Sequence, residues 1–146
     1  TVQVTERRQE FVATGADVGG SPRVNVYEAG TGELVRSFLA YEETFTGGVR
    51  VAVGDINRDG VDDIVTAPGA GGSLLVKVFD GRTGVQQFAQ SFFDSNFRGG
   101  GYVATGDVDG DDQVELIVGA GDGGGPVVSV VDFTSPLFFT PVFGFV

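Results

Sequence analysis

The chain has 146 residues, the size of one domain, and its 9 Lys and Arg against 20 Asp and Glu leave a formal net charge of −11. Its cations are one lysine and eight scattered arginines, which argues against the clustered positive charge that grips a nucleic-acid backbone. Cys, His, Met and Trp are all absent, so the thiolate and imidazole ligands favoured by zinc, copper and iron are missing, as are the Ser-His-Asp and Cys-His relays of nucleophilic enzymes.

The 25 glycines favour many turns over long helices, and 41% hydrophobic residues with 13 Phe supply a packed core. No apolar run approaches the ~20 residues of a membrane-spanning helix, so no membrane insertion is expected. The chain opens at Thr1 with no signal-peptide pattern, as expected of a processed chain or a piece of a longer one.

Taken in order, the sequence repeats itself with a period of 52 residues and no gap. Gly47, Gly48, Val51, Ala52, Gly54, Asp55 and Asp59 recur as Gly99, Gly100, Val103, Ala104, Gly106, Asp107 and Asp111. The same offset carries Gly19, Gly20, Ser21, Val24 and Val26 onto Gly71, Gly72, Ser73, Val76 and Val78. Three units follow, about 1–46, 47–98 and 99–146, the first degenerate in its opening half.

The middle unit reads as four short strands: Val49–Val53, Ile64–Ala67, Leu75–Phe79 and Gln87–Phe93. Asp59-Gly60, Pro68–Gly72 and Asp80–Gly84 supply the turns between them. Nothing sustains a helical period. The expectation is an all-β chain, a β-propeller or part-propeller of three four-stranded antiparallel blades, with a β-sandwich as the alternative. The Phe residues, among them Phe88, Phe92, Phe93 and Phe97, are expected to pack between blades, and Phe138, Phe139, Phe143 and Phe145 to seal the last blade or a subunit contact.

Two nine-residue segments carry the most specific chemistry. In Asp55–Asp63, oxygen-bearing side chains stand at positions 1, 3, 5 and 9 (Asp55, Asn57, Asp59, Asp63), with Gly60 at position 6 to reverse the backbone and the Val61 carbonyl available at position 7. The third unit repeats this with Asp107, Asp109, Asp111, the Gln113 carbonyl and Glu115, with Asp112 in the glycine position. Alternate side chains of one tight turn then aim at a common centre, the oxygen-rich shell that calcium takes; magnesium ranks lower because it demands stricter octahedral geometry. Two calcium ions per chain are expected, and none in the first unit. An EF-hand is excluded, because position 12 is Thr66 or Val118 rather than Glu and the flanks read as strands.

The stretch Val51–Val65 resembles the core of the FG-GAP repeat, the integrin-alpha-like or VCBS-type repeat, in a bacterial form. The third unit copies it and the first keeps its second half, although Gly47-Gly48 stands where the family's Phe-Gly pair opens a unit. That resemblance implies a propeller with calcium loops between the first two strands of each blade, in an extracellular or cell-surface protein serving adhesion, ligand binding or scaffolding. It implies no catalytic residue and no enzyme. Three blades fall short of the 4–8 of a closed ring, so the partners expected are further copies of the chain or the rest of a longer propeller, besides a protein or glycan ligand.

Other readings remain. Gly119–Gly124 fits G-x-G-x-x-G, but Pro126 and alternating valines follow where a dinucleotide site needs a helix. Asp62–Asp63 or Asp111–Asp112 as a glycosidase acid pair, or a lyase using Tyr and Arg, keep a carbohydrate-active enzyme as the alternative, beside a lectin-like glycan binder.

Overall fold

The computed structural model describes residues 8–134 and the backbone of 140–143. Its elements are all strands: β1 (Phe11–Gly15), β2 (Arg23–Glu28), β3 (Leu34–Leu39), β4 (Val49–Gly54), β5 (Asp63–Pro68), β6 (Leu75–Phe79), β7 (Gln86–Ser91), β8 (Gly101–Gly106), β9 (Glu115–Ala120), β10 (Val127–Val131) and β11 (Thr140–Phe143). They form three antiparallel sheets in the orders β1-β2-β3, β4-β5-β6-β7 and β11-β10-β9-β8. Every neighbour pair in the second and third sheets is consecutive in sequence, the meander that short turn-rich connections impose.

The four strands expected in the middle unit are present within a residue or two. The last one stops at Ser91, because Phe93 turns the chain at φ 78°. The 52-residue period survives in detail. A register irregularity lies between Val26 and Tyr27 in β2 and again between Val78 and Phe79 in β6. At that offset β1, β2 and β3 are the counterparts of β5, β6 and β7, so the counterpart of β4 falls at or before residue 2, outside the described residues. The side-chain roles expected of Phe138, Phe139, Phe143 and Phe145 also lie outside them.

The second sheet is the middle layer of two cores. On one side Ile64, Phe79, Val49 and Val61 meet Phe11, Val24, Val26 and Ala40 of the first sheet. On the other, Val65, Ala67, Val76 and Val78 meet Leu116, Val118 and Val131 of the third. This is why Ile64–Ala67 is apolar on both faces except at Thr66: β5 is buried along its whole length. Phe92 is 2% exposed in the second core, and the Phe88 and Phe133 rings meet edge-on at 5.2 Å. Full burial of each such side chain is worth ~1.5–3 kcal/mol.

At one end of the strands the sheets touch backbone to backbone: a Cβ on Gly15 of the first sheet would overlap the Val49 carbonyl of the second, and one on Gly100, beside the third, would overlap the Gly69 carbonyl beside the second. Within the second and third sheets glycine carries the β4–β5 and β8–β9 ladders one pair further: the Gly69 N–H donates to the Gly48 carbonyl and the Gly121 N–H to the Gly100 carbonyl, both at 2.9 Å. A Cβ on Gly69 would overlap the Gly47 carbonyl oxygen, and one on Gly121 the Gly99 carbonyl oxygen. The Gly19 N–H donates to the Thr46 carbonyl and the Gly71 N–H to the Arg98 carbonyl, a repeated link from a turn of each sheet to the connection that leads into the next.

Gly69→Ala is therefore expected to destabilise the fold by ~1–3 kcal/mol in urea unfolding, as overpacking does. Gly30→Ala, where an added Cβ meets nothing within 4 Å, should stay within ~0.5 kcal/mol of the parent.

Candidate metal centre

Both acidic loops lie at the other end of the strands, Asp55–Asp63 joining β4 to β5 and Asp107–Glu115 joining β8 to β9. Each is therefore flanked by strands. Each is wound by its own carboxylates. Asp55 accepts the N–H groups of Asp59 and Gly60, both at 3.0 Å, and Asp107 accepts those of Gly110 at 2.7 Å and Asp112 at 2.9 Å. Position 9 ties the loop back on itself: Asp63 accepts from Ile56 at 2.9 Å and Asn57 at 3.1 Å, and Glu115 from Val108 at 2.7 Å. Gly81 gives Asp63 a third N–H at 3.0 Å.

The chain reverses twice in each loop, at positions 4 and 6. In the first loop these are Arg58 (φ 62°) and Gly60 (φ 85°); in the second they are Gly110 (φ 85°) and Asp112 (φ 66°). Asp112 thus takes the left-handed conformation that its place in the repeat requires. The second demand, at position 4, was signalled in sequence only by Gly110, and Arg58 meets it without glycine.

The two loops gather their oxygens differently. One ligand atom from each of Asp107, Asp109, Asp111 and Glu115 lies within 4.8 Å of the others; three of these residues are exposed and Glu115 is buried. Among the described residues this is the one acidic group so closely drawn together. Glu115 Oε1 is buried and has no hydrogen-bond partner, and the same is true of Gln113 Oε1. Burial raises the Glu115 carboxyl, and the negative charges of Asp109, Asp111 and Asp107 add to this against the Val108 N–H. Asp109 is likewise raised, while the N–H groups led by Gly110 hold Asp107 below its ordinary value. A buried carboxyl with one oxygen lacking a donor, grouped within 4.8 Å of three more carboxylates, fits a hard divalent cation.

In the first loop, Asp59 Oδ2 is engaged by Arg82 Nε at 3.3 Å, and Arg82 also donates to the Asp59 carbonyl at 2.8 Å. The Asn57 amide nitrogen turns toward Asp80 and Gln87, leaving its Oδ1 to accept the Asp59 N–H. The Val61 carbonyl takes no part in the parallel bridge to Gln9, which uses the Gly60 carbonyl and the Asp62 N–H. Behind the loop, buried Asp62 pairs with Arg8 and accepts the Phe11 N–H at 3.2 Å. Sequence reading missed Arg8 and Arg82, whose partners are 54 and 23 residues away.

In the first unit, Phe11 occupies the place of Asp63 and Glu115 at the 52-residue offset, and it belongs to the core. Asp62 and Asp63 turn to separate partners, Arg8 on one side and the loop's own N–H groups on the other, rather than across a shared cleft.

No protein-family model matches this chain, and no curated protein or solved structure matches it either.

Burial pushes the Asp63 carboxyl from 3.8 up to about 6, outweighing the N–H donors of Gly81, Asn57 and Ile56. A carboxyl raised by folding favours the fold in its protonated form. That contribution is complete below about pH 4 and is lost as pH rises through about 6. In chelator, the melting temperature should carry a component that falls over this window, and Asp63→Asn should flatten it whatever its overall effect on stability.

Proposed function

We propose that the chain is a calcium-stabilised, non-enzymatic β-propeller module of the FG-GAP type, serving binding, adhesion or scaffolding outside the cell. The observation that carries the metal reading is the convergence of Asp107, Asp109, Asp111 and Glu115 with an unpartnered buried oxygen on Glu115. Calcium suits this set better than magnesium, because a flexible loop of carboxylates and a backbone carbonyl meets its six-to-eight oxygen shell without strict octahedral placement. The loop of Asp107–Glu115 is the tighter site. The loop of Asp55–Asp63 takes its ion only once Arg82 gives up Asp59.

The propeller reading is supported by the repeated contacts between sheets. It also accounts for the two outer faces. The middle sheet receives the first on Ile64, Thr66 and Phe79, whose counterparts Val12, Thr14 and Tyr27 form the outer face of the first sheet. It receives the third on Ala52, Val65, Val76 and Val78, whose counterparts Ala104, Ile117, Val128 and Val130 are on the outer face of the third. Val12 is 52% exposed. These two outer faces are the two halves of one contact. Head-to-tail addition of another copy, or of neighbouring repeats, would bury both.

Calcium at about 100 times its dissociation constant should add ~2.7 kcal/mol of stability and raise the melting temperature. Asp107→Ala or Glu115→Gln should abolish most of that rise, whereas Asp55→Ala should leave most of it. An unchanged melting temperature on chelation would contradict the metal reading. Light scattering of the chain at micromolar concentration should give a particle heavier than the 15.2 kDa monomer, and Val128→Asp should shrink it; a stable, soluble monomer contradicts the assembly.

A further inference from the structure

The strand ends opposite the acidic loops hold a cavity of about 530 Å³ between the first and second sheets, lined in part by Tyr41, Glu42, Thr44, Phe45, Ser73 and Lys77. This volume lies within the range of small-molecule sites. We propose that it binds a carboxylate-bearing saccharide, a uronic acid or an oligosaccharide end containing one. The inference builds on the binding role proposed above but not on the metal loops, which lie at the far end of the strands, so either reading can fail alone.

Lys77 is the sole lysine of a chain with net charge −11. Its ammonium donates to the Ala40 carbonyl at 2.9 Å and sits 4.9 Å from the centre of the Tyr41 ring. It belongs to neither of the ion pairs found among the described residues. Burial holds it below the ordinary lysine value even though Glu42 pulls the other way. Two of its three N–H donors remain to receive a carboxylate. Tyr41 is fixed in place, its hydroxyl donating to the Leu75 carbonyl at 2.7 Å and lying 3.2 Å from Thr66 Oγ1. Its ring meets Phe45 edge-on at 6.0 Å, forming an apolar corner against which a pyranose can lay its C–H face.

The exposed hydroxyls of Thr44 and Ser73 can exchange hydrogen bonds with sugar hydroxyls, and the exposed Glu42 can accept them. Glu42 also repels a multiply charged anion such as phosphate, which favours one negative charge carried on a polyol. The repeat supplies an internal comparison. The corresponding place between the second and third sheets keeps an acid and a phenylalanine, Asp94 and Phe97, but has Phe93 for Tyr41, Gly125 for Ser73 and the buried Ser129 for Lys77. The ammonium of Lys77 and the hydroxyls of Tyr41 and Ser73 are thus particular to one cleft, whereas the acid and the phenylalanine belong to both.

The single lysine makes the test direct. Biosynthetic labelling with 13C,15N-lysine marks Lys77 alone and leaves its charge and its three N–H donors intact. Titration of the intact chain, in calcium, with glucuronate, glucose, acetate and phenylalanine then reads the Lys77 signal by NMR. The expected result is a saturating shift with glucuronate at least tenfold tighter than with glucose or acetate, and glucuronate binding followed by calorimetry that is lost in Lys77→Met at an unchanged melting temperature. No shift at about 10 mM glucuronate, roughly tenfold above the ~1 mM dissociation constant of a weak ligand, would overturn the proposal. So would acetate binding as tightly as glucuronate, which is a bare anion contact. Phenylalanine binding as tightly or better would also overturn it, since its zwitterion would bridge Lys77 and Glu42.

Discussion

Like charges held at close range in a folded chain raise its free energy unless something neutralises them. In this protein the turn between β8 and β9 brings four carboxylates within 4.8 Å, and one of them, Glu115, is buried. Backbone N–H groups take up part of the charge: Gly110 and Asp112 serve Asp107, and Val108 serves one oxygen of Glu115. The other Glu115 oxygen has no donor. A divalent cation would relieve the repulsion and the burial together, and would pin the ends of two strands that face an inter-sheet core.

The two acidic loops show two answers to the same problem. Where the β8–β9 turn leaves its carboxylates facing one another, the β4–β5 turn has Arg82 on Asp59 and Arg8 on Asp62. At the 52-residue offset Arg82 is replaced by Thr134, so the third unit lacks that guanidinium. Duplication has thus kept the loop while its charge balance diverged. The opposite strand ends diverged too: the glycine contacts there repeat faithfully, but Tyr41 and Lys77 have become Phe93 and Ser129.

Local features were legible in the sequence. Alternating valines and the turn dipeptides placed the strands of the middle unit, because the two-residue period of a strand and the demands of a tight turn are both written within a few residues. The alternate oxygens of Asp107–Glu115 foretold their convergence for the same reason. Contacts between distant segments were not legible. Nothing near Asp62 announces Arg8, and nothing near Tyr41 announces Lys77, since sheet stacking alone brings them together. The left-handed backbone at Arg58 was also hidden, as a residue type with no preference for it is held there by the rest of the loop.

A crystal structure grown with calcium tests the central claim most directly. The account predicts an ion in the β8–β9 turn, about 2.3–2.6 Å from carboxylate oxygens of Asp107, Asp109, Asp111 and Glu115 and from the Gln113 carbonyl. A turn that stays empty at millimolar calcium, with Glu115 protonated or turned to a protein donor, would contradict it.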